Sequence, residues 1–405
     1  MRSRFVVLCV IGIEACGFPR PADVGDPAGD AGGPVITIAP TALSLIAHPT
    51  DLLTAMATYA DGTVQDVSTT VTWGSNNPEI ATIAGHTITA VAVGTATVTA
   101  AQNGVTTTAQ VTVADFTAII VAGYNSSVEF FLPRADGNSA PIRSIKGTTT
   151  TLMGPSGLAI AGQELFVADQ VANAIVVFPL SGNGNIAPTR RIVGSATGLQ
   201  DTTGITIFRD EIYVTCGTGP ESIVVFPVNA NGNVNPSRTI GGPSTTLTGG
   251  TYATVSNSEL YISNPHNPQA IAVFPLDTNG NLPPSREISG PATMLNSVAY
   301  PNGLAICGGE LFIATEDGSI QVFGTTASGN VAPTRSISGT STKLAFPQAI
   351  LCVGNELYVA NAGSSATSPA GVLVFPSSAA GNVAPTRFLT GAMTGLEQTL
   401  GLAAY

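Results

Sequence analysis

The chain has 405 residues, enough for two or three domains, and only 10% of them are charged. Gly (45) and Pro (28) are abundant, a composition that disfavours long helices and suits short strands and turns. With a net charge of −11 and no cluster of Lys or Arg, the chain lacks the basic footprint that nucleic-acid binding requires.

The first residues read as an export signal. Arg2 and Arg4 precede an apolar run from Phe5 to Ile13, too short to span a bilayer as a helix. "IEAC" follows, ending in Cys16. It resembles the lipobox of bacterial lipoproteins, although Glu14 departs from the small or apolar residue usual there. The resemblance implies that residues 1–15 are removed and that Cys16 is lipidated; the other reading is an ordinary cleaved signal. Residues 16–34 are rich in Pro, Gly, Ala and Asp without apolar periodicity, which suits a flexible tether. In that family Gly17, after the Cys, goes with sorting to the outer membrane. The expected place is therefore the envelope of a Gram-negative bacterium, lipid-anchored at the outer membrane or cell surface, with the membrane as partner through Cys16.

Residues 35–115 alternate apolar and polar positions in short runs, separated by turn signals at Asp61-Gly62, Asn76-Pro78 and Asn103-Gly104. Seven or so strands predict a β-sandwich, with Trp73, the chain's one tryptophan, as core anchor. Tyr59 to Ile83 ("YADGTVQDVSTTVTWGSNNPEIATI") and Ile88 to Ala100 resemble the bacterial group 2 Ig-like domain. The resemblance implies a spacer or adhesion module on an exported protein. His48 and His86 read as surface residues.

The rest, 116–405, is repetitive. "GNVAPTRSISG" (Gly329 to Gly339) returns as "GNVAPTRFLTG" (Gly381 to Gly391). Allowing substitution there are six copies, whose arginines (Arg143, Arg190, Arg238, Arg286, Arg335 and Arg387) lie 47, 48, 48, 49 and 52 residues apart. A Pro stands two before each Arg and a Gly four after it. Phe131, Phe178, Phe226, Phe274, Phe323 and Phe375 each precede a Leu by 21 residues. A period near 48 built of strand-like runs predicts propeller blades of four strands. The third and fourth strands of each blade are expected to join through an Asn-Gly type I′ hairpin. Pro is expected to open the outer strand, where its missing N–H does no harm. Phe and Leu are expected between blades. The first copy lacks an inner strand and "GLAAY" (Gly401 to Tyr405) supplies one, which predicts six blades closed by the C-terminal strand. Glu356 to Asn361 ("ELYVAN") and Val372 to Pro376 ("VLVFP") resemble NHL-type six-bladed propellers. The expected fold class is thus all-β: a sandwich followed by a propeller.

Loop length varies on one face only, the face of the outer-to-inner crossings and the second-to-third-strand turns. Such variation marks a binding surface or simple tolerance. The candidate ligand-binding residues there are Asn173, Glu221, His266, Asn267, Tyr300, Asn302, Glu316 and Asp317, with the long loop beginning at Asn361. The recurring Arg and Glu (Glu164, Glu211, Glu259, Glu310, Glu356) read as structural, because a single site needs a residue once. The residues expected at the axial entrance are Ser156, Thr203, Thr251, Asn302, Gln348 and Leu400, none of them a carboxylate, so no metal or other cofactor is expected. Cys216, Cys307 and Cys352 have no CxxC spacing and read as buried free thiols. The favoured function is a non-catalytic envelope lipoprotein whose propeller binds a glycan or a surface protein. The alternatives are a propeller hydrolase or lyase of the lactonase or antibiotic-lyase type, and an assembly factor for outer-membrane machinery.

Overall fold

The computed structural model describes residues 34–45, 50–91, 94–113, 118–217, 221–249, 252–266, 268–364 and 368–405. The expected signal segment, Cys16, the expected tether up to residue 33 and His48 lie outside them.

Among the described residues, ten strands in three sheets lie between Val35 and Val113, more than the sequence runs marked. The run "LLTAMATYA" accounts for part of the difference. Thr50–Leu52 and Thr54–Thr58 belong to different sheets, and the fully buried Leu53 between them turns the chain. Gly94–Gln102 and Val105–Val113 form a hairpin across Asn103-Gly104, with both turn residues at positive φ (51° and 82°), as a type I′ turn requires. The core is aliphatic: Leu53, Ala55, Ile88, Val98, Ala100 and Val111 have no exposed surface. Trp73 packs half-buried against that core and donates Nε1 to the Ser68 carbonyl at 2.8 Å, so it borders the core instead of centring it. His86 is half-buried, and its carbonyl accepts from Leu53 N.

Six four-stranded antiparallel sheets follow. Blade 2 comprises Pro155–Ala161, Glu164–Asp169, Ala174–Pro179 and Arg190–Ile192, and blade 3 Thr202–Phe208, Glu211–Cys216, Ser222–Pro227 and Arg238–Gly241. Blade 4 comprises Ala253–Ser256, Glu259–Asn264, Ala270–Pro275 and Arg286–Ser289. Blade 5 has Pro301–Cys307, Glu310–Thr315, Ser319–Gly324 and Arg335–Ile337; blade 6 has Pro347–Val353, Glu356–Asn361, Gly371–Pro376 and Arg387–Leu389. Blade 1 is built from both ends of the region. Ile119–Gly123, Ser127–Phe131 and Arg143–Lys146 are joined on the inner side by Thr399–Ala404. Ala118 and Tyr405 extend that pairing by exchanging both backbone hydrogen bonds. Each inner strand touches the inner strands of its two neighbours, and Thr399–Ala404 lies between those of blades 6 and 2.

The repeated letters act mostly between blades. In "GNVAPTRSISG", Gly329 bridges to Ile288, on the outer strand of the preceding blade. Asn330 Oδ1 accepts from Ala292 N, in the turn that follows that strand. Arg335 forms an ion pair with Glu310 of its own blade and donates to Ser377 O of the next. Gly339 has φ +114°, and a Cβ there would lie 2.6 Å from Asn382 of the next blade, so only glycine fits. The same contacts cross from blade 6 to blade 1: Gly137 bridges Leu389, Asn138 Oδ1 accepts from Met393 N, and Arg387 donates to Pro133 O. The six Phe are buried, packed between sheets as expected. Five Arg–Glu pairs close at 2.5–2.8 Å, which bears out the structural reading of both residue types.

Two further expectations are corrected. The third and fourth strands do not meet in a tight hairpin: residues 180–189 separate them in blade 2, and of Asn183-Gly184 only the glycine has positive φ. The connection leans out to the neighbouring blade, a long-range contact that no local turn signal encodes. Cys307 and Cys352 are also not free thiols. They end or nearly end the inner strands of blades 5 and 6, their Cα atoms are 6.2 Å apart, and they form a disulfide. Cys216 is free and buried, and burial pushes its thiol pKa up to about 11.

Candidate functional site

The inner strands surround an axis, and one position of the repeat sets its width. Seven residues before the recurring Glu stand Gly157, Gly204, Gly303 and Ala349, and Gly401 pairs in the equivalent place in blade 1. Blade 4 has Tyr252 there instead. Its hydroxyl donates to Leu400 O at 2.6 Å, on the inner strand of the opposite blade, so the phenol spans the axis near the loop face. Burial holds that phenol above its ordinary pKa. The sequence reading passed over Tyr252, although the seven-residue spacing exposes it as the one bulky side chain in a series of small ones.

Other entrance residues are occupied with the scaffold. Ser156 is buried and donates to Ala168 O and Thr202 O, Thr203 shares a hydrogen bond with Thr215, and Gln348 donates to Phe346 O. Asn302 is buried and donates to Pro347 O, inside the blade 5–blade 6 contact and away from solvent. Thr251 lies outside the described residues. Along the axis from Tyr252 runs a cavity of about 460 Å³ walled by Leu158, Ile205, Ile207, Leu304, Ile350 and Leu402, with no charged side chain among its lining residues.

On the loop face three of the candidates come together. The His266 and Tyr300 rings meet edge to face with centroids 6.3 Å apart, and Tyr300 O accepts from Glu316 N at 3.0 Å. His266 is exposed, and Gly249 leaves room for it: a Cβ there would lie 2.7 Å from the ring. Asp317 faces inward to its own turn, accepting from Thr315 and Ser319 hydroxyls, an Asx-type arrangement that orders the loop. Asn173 is apart from this group; at φ 49° it accepts from Asp201 N. Glu221 is half-buried just before the third strand of blade 3, and Asn267 lies outside the described residues. Sequence reasoning also missed the buried residues that close the second strands. Asp169 accepts from the backbone N–H of Met153, Gly154 and Ala172, while Asn264 and Asn361 accept from Thr248 and Ala345. These anchor the crossings from which the candidates project. Among the described residues no three His, Cys, Asp or Glu side chains converge as metal ligands.

No family model matches the chain, so the three resemblances drawn from the sequence rest on the motifs quoted for them. A stretch of 48 residues is 48% identical to ice-binding protein 1 of Shewanella frigidimarina (strain NCIMB 400), spanning 12% of this chain and 5% of that protein. The solved nidogen/laminin complex has a chain of similar structure at 13% identity, covering 70% of this chain and 97% of that one with a TM-score of 0.50. The fold is a β-propeller. Periplasmic gluconolactonase PpgL of Pseudomonas aeruginosa is similar at 14% identity, covering 71% and 98% with a TM-score of 0.46. The WD40 propeller domain of Doa1 follows at 10%, 64% and 86%, with a TM-score of 0.41. At 13% identity the likeness to the nidogen/laminin chain shows the fold and nothing finer.

Proposed function

We propose that this chain is a non-catalytic, exported lipoprotein in which an Ig-like β-sandwich (35–115) displays a closed six-bladed propeller (116–405) that binds a glycan or protein ligand. Thr399–Ala404 is the strand that fastens the ring, and Cys16 carries the lipid anchor. The observation that carries the binding role is the meeting of the His266 and Tyr300 rings on the face where loop length varies, with the Glu316 backbone bonded to that of Tyr300. An exposed imidazole against a half-buried phenol on a rigid scaffold offers stacking and hydrogen bonding to a hydroxyl-rich or protein surface. Tyr252 weighs against the hydrolase or lyase alternative, because its phenol occupies the axial depth where a reacting group would have to sit. A disulfide between adjacent inner strands supports export, since such bonds persist in oxidising compartments.

The test is an array of glycans and matrix proteins probed with the full chain. His266→Ala and Tyr300→Ala are expected to lower the array signal by about tenfold, a loss typical of central contact residues. Gln163→Ala, on the opposite face, is expected to leave it unchanged. A signal that survives both loop-face substitutions would place the ligand elsewhere.

A further inference from the structure

The axial cavity and one exceptional arginine point to a second site, independent of the loop face. Five of the six recurring arginines are neutralised by a glutamate of the same blade. Arg143 is not. Strand pairing places Ile119 opposite Phe131 as it places Leu165 opposite Phe178, so Ala118 stands in blade 1 where Glu164 stands in blade 2. Arg143 lies over the Phe130 ring at 3.9 Å and donates to Leu180 O, Gly182 O and the Tyr405 hydroxyl. It has no carboxylate partner among the described residues.

Two of those groups are also cavity walls. Leu180 and Tyr405 line the axial channel, together with Gly162 and Gln163 of the first-to-second-strand turn, at the end remote from Tyr252. The channel therefore has a stopper at the loop face, walls on which Leu158, Ile205, Leu304, Ile350 and Leu402 alternate with strand backbone, Thr206 and Thr254, and a guanidinium bonded to its rim at the other end. Its volume, about 460 Å³, falls within the range of small-molecule pockets. A charge placed deep within it would be desolvated without a partner, whereas an alkyl chain would gain by leaving water. An anion at the rim would meet the one arginine whose charge the repeat leaves uncompensated.

We propose that the axial channel binds a linear alkyl carboxylate, with its chain along Leu158, Ile205 and Leu402 and its carboxylate at Arg143 and the Tyr405 hydroxyl. Free fatty acids and the acyl chains of lipids share this chemistry. A phenol across one end and one recurring arginine without a glutamate at the other fit a single chain, so the free acid is the expected source.

Calorimetric titration of the full chain with decanoate tests this, with decanol, decylamine and vesicles of anionic diacyl phospholipid as comparison arms. Decanoate is expected to bind, decanol more weakly, and decylamine and the vesicles not at all. Ala118→Glu supplies the carboxylate that the other blades possess and is expected to weaken decanoate at least tenfold while sparing decanol. Ile205→Trp fills the channel and should abolish binding of both. If that variant fails to fold, Gln163→Trp, an exposed change at the rim, blocks entry instead. Equal binding of decylamine and decanoate, or decanoate binding that survives a filled or blocked channel, overturns the proposal. Binding to vesicles but not to decanoate overturns the assignment to a free acid. None of these outcomes bears on the loop-face array.

Discussion

Glu129 has 1% of its side chain exposed, and its Oε2 has no hydrogen-bond partner among the described residues. Burial raises its pKa from 4.5, and the Lys146 ammonium at 3.8 Å only partly offsets this. The folded chain therefore holds this proton more tightly than the unfolded chain. Glu129 thus makes stability fall as pH rises from about 4.5 through the higher folded pKa. Glu356 behaves in the opposite sense: hydrogen bonds from Arg387 lower its pKa against the effect of burial. Its contribution is present above about 4.5 and is lost as pH falls through the folded value. Glu129→Gln is expected to raise the denaturant midpoint near neutral pH and to change it little in mild acid. A midpoint difference from wild type that is the same at both pH values would show that Glu129 does not titrate in this way.

At the scale of strands, the constant Phe-to-Leu spacing made the blades legible, because each blade spends the same number of residues on its outer half. Their contacts were less so. The turn signal at Asn103-Gly104 does close a hairpin, since both strands lie beside it, but Asn183-Gly184 has the same letters and turns toward another blade. The disulfide was hidden for a related reason: its cysteines are 45 residues apart, nearly one repeat, yet only adjacency of the inner strands brings them together. Whether each candidate residue points outward depends on local bonds that the spacing of letters does not encode. Asp317 is held in its turn and Asn302 lies between blades, whereas His266 and Tyr300 meet. Replacing both Cys307 and Cys352 by Ala is expected to lower stability by about 2–4 kcal/mol, measured by denaturant unfolding. The same loss should follow when wild type is reduced, and an unchanged midpoint under reduction would rule out a stabilising bond.

For the molecule as a whole, the recurring letters explain why the copies differ so little. Arg, Gly and Asn of one repeat are answered by groups of the next, so drift in one blade exposes a mismatch in its neighbour. On this account the blades form one cooperative ring, and the loop face and axial channel are positioned by it. The ring depends on a strand that is last in sequence and lies next to the first blade's strand in space. Removing Thr399–Tyr405 leaves Ile119–Gly123 with an open inner edge and takes away the Leu400 carbonyl that holds Tyr252. The most direct measurement is hydrogen exchange and thermal melting of the chain truncated after Gln398. The account predicts loss of protection at Ile119–Gly123 and at the inner strands of blades 2 and 6, with a lower melting temperature for the propeller. A truncated chain that melts with the wild type and keeps Ile119–Gly123 protected would contradict it.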